Sequence, residues 1–455
     1  MKLSFLFLCA TISIAYGELH DGRFTVPLDH FRPQDGRTVD FNYRTNIQYY
    51  QDDGPLFFYI NDAGHFTTEW IERGLIKDLA MEFGGALFTT DFRFFRNNLP
   101  TPTASLANLQ FLTVDQAIAD IAVFITTARE HVSSDGGKAF VFGTGIGGSL
   151  AVLARQKYPH LIDAAWSSNG VFLPSVFTTD VYNTVADNIR EVGSTECGER
   201  VTRAFQQIED LIATGNDQTL VDEFGICRPF NISSRMDVAM FSEGIVEQIS
   251  SQFERFHHSG LTSFCESMSV IPADPMRSLG RWIRFNFNVD VGTCQNYDYE
   301  GRIRLTSDTQ WNNPGTSSGL RQFLYLQCTQ MGNLRTNTNG GMFGRRITEE
   351  YRQRLCMDSF GDGYDFDELY KTVEIMKMAH GGQNPRVSRV FYTNGYLDQW
   401  LSTGITYTYH EDAHVVNVPG YSRWSDLTSL NTLDSIVLYN AKTSVVSAFR
   451  RWNSD

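Results

Sequence analysis

Between residues 55 and 167, short apolar runs alternate with longer amphipathic stretches, and this alternation constrains the fold more than any other feature of the chain. Pro55 to Ile60 (PLFFYI) is an apolar run ending in Asn-Asp-Ala-Gly, the pattern of a strand entering a loop. The periodicity then predicts a helix over 68–82, a strand over 86–90 (ALFTT) and a helix over 114–130. The last of these places Ile118, Ile121, Ala122 and Ile125 on one face. A strand over 138–142 (KAFVF), a helix over 148–158 and a strand over 162–167 complete the run. Strand–helix alternation of this kind requires a mostly parallel sheet with helices on both faces.

After about residue 175 the alternation stops. Helices are predicted over 178–191, 198–213 and 236–256, strands return over 389–392 and 414–418, and a last amphipathic helix is predicted over 431–451. The expected organisation is therefore an α/β domain in two parts, 18–174 and 381–455, split by a mainly helical insertion over 175–380. Residues 1–17 stand apart. Lys2, an apolar run from Leu3 to Ala15 and the small-x-small Ala15-Tyr16-Gly17 have the three parts of a secretory signal peptide. Cys9 would leave with it. The remaining six cysteines, Cys197, Cys227, Cys265, Cys294, Cys328 and Cys356, all fall in the insertion. An even number in a secreted chain reads as three disulfides. The sequon Asn231-Ile232-Ser233 lies in the same segment and predicts a glycan on Asn231. No other run is long and apolar enough for a membrane anchor. Secretion or lysosomal delivery follows. The net charge of -14 argues against nucleic acid and anionic membranes as partners.

The chemistry-bearing motif is the strand, glycine turn and helix at 138–158. A nucleophile elbow reads small-x-Ser-x-small after a strand, because the turn is too sharp for larger neighbours. Here the turn is Gly143-Thr144-Gly145-Ile146-Gly147-Gly148, with the spacing kept and Gly145 in the nucleophile's place. Ser149 fits small-x-Ser-x-small one turn later, inside the helix, and is the alternative nucleophile. No His, Cys, Asp or Glu cluster has metal-site spacing, and no cofactor is expected. The glycine turns lack the phosphate-loop pattern.

With its elbow followed by Lys157-Tyr158-Pro159-His160, the chain resembles the α/β-hydrolase-fold family of lysosomal Pro-Xaa carboxypeptidase, dipeptidyl peptidase II and thymus-specific serine protease. That family's elbow reads G-G-S-Y-x-G before a helix ending K-Y-P-H. The likeness continues through Phe24 to Phe31 (FTVPLDHF), Leu112 to Ile121 (LTVDQAIADI) and Asn394 to Trp400 (NGYLDQW). It implies a proline-specific serine exopeptidase ancestry and a catalytic Asp at Asp398. The family's His falls on Arg423, in Tyr421-Ser422-Arg423-Trp424-Ser425-Asp426-Leu427. Arginine stays charged at any physiological pH and cannot act as a base. The family's G-x-E-G loop is here Asn61-Asp62-Ala63-Gly64, and its E-H-R-Y-Y-G is Asp91-Phe92-Arg93-Phe94-Phe95-Arg96. The resemblance places Ile146, Asn61, Asp62, Ala63, Asp91 and Phe92 in the oxyanion and substrate region.

These departures predict a pseudo-peptidase with a binding or decoy role toward a peptide or protein ligand. The alternative is an active peptidase cleaving after proline, through Ser149. The resemblance also implies a homodimer and the pairings Cys197–Cys265, Cys227–Cys294 and Cys328–Cys356. Two physical expectations follow. Arg423 should neutralise buried Asp398 at salt-bridge range, about 4 Å. Gly145 should hold the strained elbow angles, so that restoring serine costs only about 1 kcal/mol.

Overall fold

The computed structural model describes residues 19–132, 136–289 and 293–455; the leader expected at 1–17 lies outside the described residues. Among the described residues ten strands occur: β1 (His20–Pro27), β2 (Thr38–Asn46), β3 (Leu56–Ile60), β4 (Ala86–Thr90), β5 (Ala139–Thr144), β6 (Ala164–Ser168), β7 (Ser175–Thr178), β8 (Gly332–Arg335), β9 (Val390–Gly395) and β10 (Ala413–Val418). Eight of them form one sheet in the order β1-β2-β4-β3-β5-β6-β9-β10, and β7 pairs with β8 apart from it. β1 and β2, and β2 and β4, are antiparallel; from β4 to β10 every pairing is parallel. The all-buried β3, β5 and β6 explain their unbroken apolar sequences, since parallel strands are covered on both faces.

One face of the sheet is covered by the helices Val114–His131 and Gly145–Lys157, which bury Ile118, Ile121, Ile125 and Leu150. On the other, Phe57, Phe140, Phe142 and Trp166 meet Phe449 and Trp452 of the C-terminal helix Ile436–Ser454. The middle of the chain builds a separate core from Thr195–Thr214, Arg235–Ser267 and Pro275–Asn286, around Phe205, Ile249, Phe264 and Trp282. Cys197–Cys265, Cys227–Cys294 and Cys328–Cys356 are disulfide-bonded, with Cα separations of 5.4, 5.0 and 5.8 Å.

Several boundaries differ from the sequence expectation. The stretch 68–82 is two helices, Glu69–Glu72 and Leu75–Phe83, because Gly74 adopts φ 90° between them. The 236–256 helix runs on to Ser267. The last helix starts at Ile436, where Ser435 accepts a hydrogen bond from the Leu438 N–H. Most relevant to function, β5 extends to Thr144 and its helix begins at once with Gly145, three residues earlier than the periodicity suggested.

Candidate functional site

The elbow is a strand that becomes a helix without a connecting loop. Thr144 is extended (φ -121°, ψ 153°), and Gly145 turns the chain with φ +53°. This left-handed angle favours glycine, and so does the space around it. A Cβ on Gly145 would lie 2.5 Å from Oδ2 of Asp62, and one on Gly147 would lie 2.3 Å from the Ile60 carbonyl oxygen. The expected cost of about 1 kcal/mol for restoring serine is therefore corrected upward: backbone strain is only part of it, because a carboxylate stands where the side chain would go.

Asp62 comes from the loop after β3. Its Oδ1 accepts the Ile146 N–H at 3.1 Å and the Ala63 N–H at 2.9 Å. In an α/β-hydrolase the oxyanion hole is made by the N–H following the nucleophile and an N–H from the loop after the third strand. Here the N–H after Gly145 and the Ala63 N–H of the loop after β3 both donate to the Asp62 carboxyl. Burial pushes the Asp62 carboxyl upward in pKa, and the charge of Arg423 and the two N–H donors oppose that shift. Asn61 holds the loop in place. Its Nδ2 donates to Thr89 Oγ1 at 2.7 Å and to the Thr90 carbonyl, and its Oδ1 accepts the Thr67 N–H.

Across the same end of the sheet, the turns after β9 and β10 bring Asp398 and Arg423 together. A terminal guanidinium nitrogen of Arg423 donates to Asp398 Oδ1 at 3.0 Å and Oδ2 at 3.4 Å. The pair is nearly sealed, with Asp398 1% and Arg423 8% exposed. Glu254, from the long helix Arg235–Ser267, reaches the same nitrogen at 3.8 Å. Burial raises the Asp398 pKa against the pull of Arg423, while the Arg423 pKa moves upward because its carboxylate neighbours outweigh its own burial. One guanidinium thus serves two nearby carboxylates and the more distant Asp62.

Ser149 is 7% exposed, one turn into the elbow helix. Its hydroxyl donates to the Val171 carbonyl at 2.7 Å, so its proton is already engaged. It borders a small cavity of ≈ 60 Å³ with Ile146, Asn333 and His380. Burial lowers the pKa of His380, whose Nε2 lies 3.9 Å from Asp115. Sequence reading passed over His380 because it closes an ordinary helix, capped by Gly381, with no motif around it. His65 is exposed, contributes to the field at Asp62 and stacks on Trp424 with ring centroids 5.8 Å apart.

Asp91 and Phe92 lie at the end of β4, two strands from the elbow. Phe92 packs edge-to-face on Phe95 in the core. Asp91 borders a different cleft, and burial pushes its carboxyl up to about 7. Asn231 is exposed, its Oδ1 accepting the Ser233 N–H. Among the described residues no group of three or more His, Cys, Asp or Glu is arranged to hold a metal, and no helix is long and apolar enough to cross a membrane.

The sheet order, with parallel strands flanked by helices and an elbow at the end of β5, defines an α/β-hydrolase fold. Residues 26–445 match the serine carboxypeptidase S28 family, and the chain belongs to that family. It is 26% identical to a putative serine protease of Caenorhabditis elegans, over 96% of this chain and 89% of that one. Similarity extends to the thymus-specific serine protease of Mus musculus (25% identity; 94% and 86% covered) and the lysosomal Pro-X carboxypeptidase of Bos taurus (22%; 94% and 87%). Among solved structures, a proline iminopeptidase of Mycobacterium smegmatis aligns over 95% of this chain and 99% of that one, with 11% identity and a TM-score of 0.42.

Proposed function

We propose that this chain is a pseudo-peptidase: a serine carboxypeptidase S28 member that no longer hydrolyses peptides and acts by binding, as a decoy or ligand-holding protein for a peptide or protein. The observation that carries this reading is the Asp62 carboxylate, which accepts both backbone donors that would stabilise an oxyanion and stands where a side chain on residue 145 would project. The substitutions at the nucleophile and base positions, Gly145 and Arg423, support it. Serine-type hydrolysis needs a nucleophile, a base and free oxyanion donors together. The retained acid, Asp398, becomes a structural partner of Arg423.

A lysosomal relative, three disulfides and the leader pattern at 1–17 support secretion or lysosomal delivery, with a glycan on Asn231. The chain divides into an α/β domain (18–174 and 381–455) and an insertion (175–380), and pairs as a homodimer. The competing reading is a peptidase acting through Ser149, favoured by the presence of His380 on the same cavity. A fluorophosphonate probe separates the two. The purified chain should remain unlabelled under conditions that label an active relative to completion; stoichiometric labelling at Ser149 would establish the competing reading.

A further inference from the structure

A second cleft, of ≈ 730 Å³, opens at the carboxyl end of β4, on the side of the sheet bounded by β1 and β2. Ligands of open α/β sheets bind outside the carboxyl ends of strands, so its position is that of a site. Its rim is cationic although the chain as a whole is strongly acidic. Arg23 is exposed and makes no ion pair among the described residues. The Arg96 guanidinium lies over the Phe66 ring, 5.2 Å from its centroid, and stays 3.9 Å from the nearest Asp91 oxygen, too far for a hydrogen bond. Arg44 is paired with exposed Asp21. The floor is Asp91, whose side chain is only 8% exposed. Asn42 and Asn97 supply amides, tied together by a bond from Asn42 Nδ2 to the Asn97 carbonyl.

The geometry points to a binding site for an acidic sugar, a hydroxylated ring carrying one carboxylate or sulfate, held by Arg23 and Arg96 at the rim and by Asp91 and the amides at the floor. One guanidinium without an ion-pair partner among the described residues, Arg23, and a second, Arg96, held only loosely at 3.9 Å from a largely buried carboxyl together recognise a monoanion. A carboxyl group beneath them opposes a dianion such as phosphate but bonds well to hydroxyls. An apolar ligand would leave these polar groups without partners. The cleft has room for a ring and its neighbour. Nothing in this argument depends on whether the elbow is inert.

Asp91 also gives the site a readout of its own. The groups around it are Arg96 on its own loop, Arg23, Arg44 and Asp21 on β1 and β2, and Tyr43; behind it Arg93 is bonded to Asp120 at 2.6 Å. Burial outweighs the Arg96 charge and the Asn97 N–H and moves the carboxyl up to about 7. Protonation removes a negative charge beside the bound anion, so affinity should rise as pH falls.

The test is calorimetric titration of the full chain with glucuronate, a glucuronate-terminated disaccharide, glucose and acetate. Saturable glucuronate binding is expected at least about tenfold tighter than that of glucose or acetate, and tighter by about fivefold at pH 6 than at pH 8. Arg23→Gln, at an exposed position without an ion-pair partner, should leave the melting curve unchanged and weaken binding about tenfold; Asp91→Asn should abolish the pH dependence. Binding of the disaccharide as well assigns the site to the end of a glycan, and binding of the monosaccharide alone assigns it to a free sugar acid; both support the inference. Equal binding of glucuronate and glucose, no saturable binding of any acidic sugar, or wild-type affinity in Arg23→Gln would overturn it.

Discussion

Restoring the missing nucleophile tests the reading of the elbow directly. In Gly145→Ser, a residue with a Cβ must hold φ +53°, which costs roughly 1–2 kcal/mol. Its Cβ would also sit 2.5 Å from Asp62 Oδ2, a contact that real Cβ atoms do not make, so the carboxylate must move. Moving it breaks the bonds from Ile146 and Ala63 N–H and leaves half-buried polar groups without partners, worth about another 2–3 kcal/mol. The expected total is about 3–5 kcal/mol, a large part of an ordinary folding stability. Unfolding entropy scales with length, so for 455 residues each kcal/mol lowers Tm by roughly 1 °C, and the variant should melt about 3–5 °C below the parent. In an Asp62→Ala background the contact term disappears and only the backbone term of about 1–2 kcal/mol remains. Denaturant unfolding of the four proteins of this cycle measures the difference. If Gly145→Ser costs the same with and without Asp62, the carboxylate is not the obstacle and the account of a self-occupied elbow is wrong. Neither serine variant should turn over a proline-containing peptide, since Arg423 cannot accept the hydroxyl proton.

Two further outcomes follow from the buried charges. Arg423→Met strips the cation from Asp398, Glu254 and Asp62 and should cost about 3–5 kcal/mol at neutral pH, read by chemical denaturation. Most of that loss should be regained toward pH 5 as the orphaned carboxylates take up protons, and an equal loss at both pH values would mean that the pair is not buried in solution. In the parent, burial raises the carboxyls of Asp62, Asp398 and Asp426, and that of Asp91 to about 7. The folded state then binds more protons than the unfolded one between about pH 7 and the ordinary carboxyl range near 4, so stability should rise as pH falls through that window. His380, lowered by burial, opposes this within the window and Glu243, lowered to about 2, below it; the four raised carboxyls outnumber His380, and a Tm that falls from pH 7 to pH 5 would contradict the assignment.

The parallel half of the sheet was legible because parallel strands announce themselves. β3, β4, β5 and β6 are short unbroken apolar runs, each separated from the next by a helical period. The strands missed are β1, β2, β7 and β8, of which β2 alternates clearly and the others have weak patterns. β1 carries Gly22 and Pro27 and buries little beyond Phe24 and Val26, and β7 and β8 have four residues each, so their pairing depends on neighbours far away in sequence. Helix ends were misplaced wherever a local bond or a single dihedral decides them, as Gly74 does between the two helices of 69–83 and Ser435 does at the last helix. The cysteine count gave the number of disulfides but not their partners, which came from the family resemblance.

The candidate site divides along the same line. Gly145 and Arg423 could be read from motif spacing because each interrupts a pattern at a fixed place. Asp62 could be placed in the loop after β3, but its effect could not, because that effect depends on a side-chain oxygen reaching across to the N–H of Ile146, 84 positions later. A sequence shows a missing nucleophile as an absence. The fold shows what stands beside Gly145: an acid on the loop after β3, anchored by the Ile146 and Ala63 N–H groups and lying in the field of Arg423. On the pseudo-peptidase reading proposed above, loss of the base and filling of the oxyanion hole are physically coupled. Asp62, Asp398 and Glu254 all lie in the field of Arg423, and a histidine near its ordinary pKa would supply that charge only in part. On this account Arg423→His alone should be tolerated less well at neutral than at acidic pH, and pairing it with Asp62→Ala should remove much of that sensitivity.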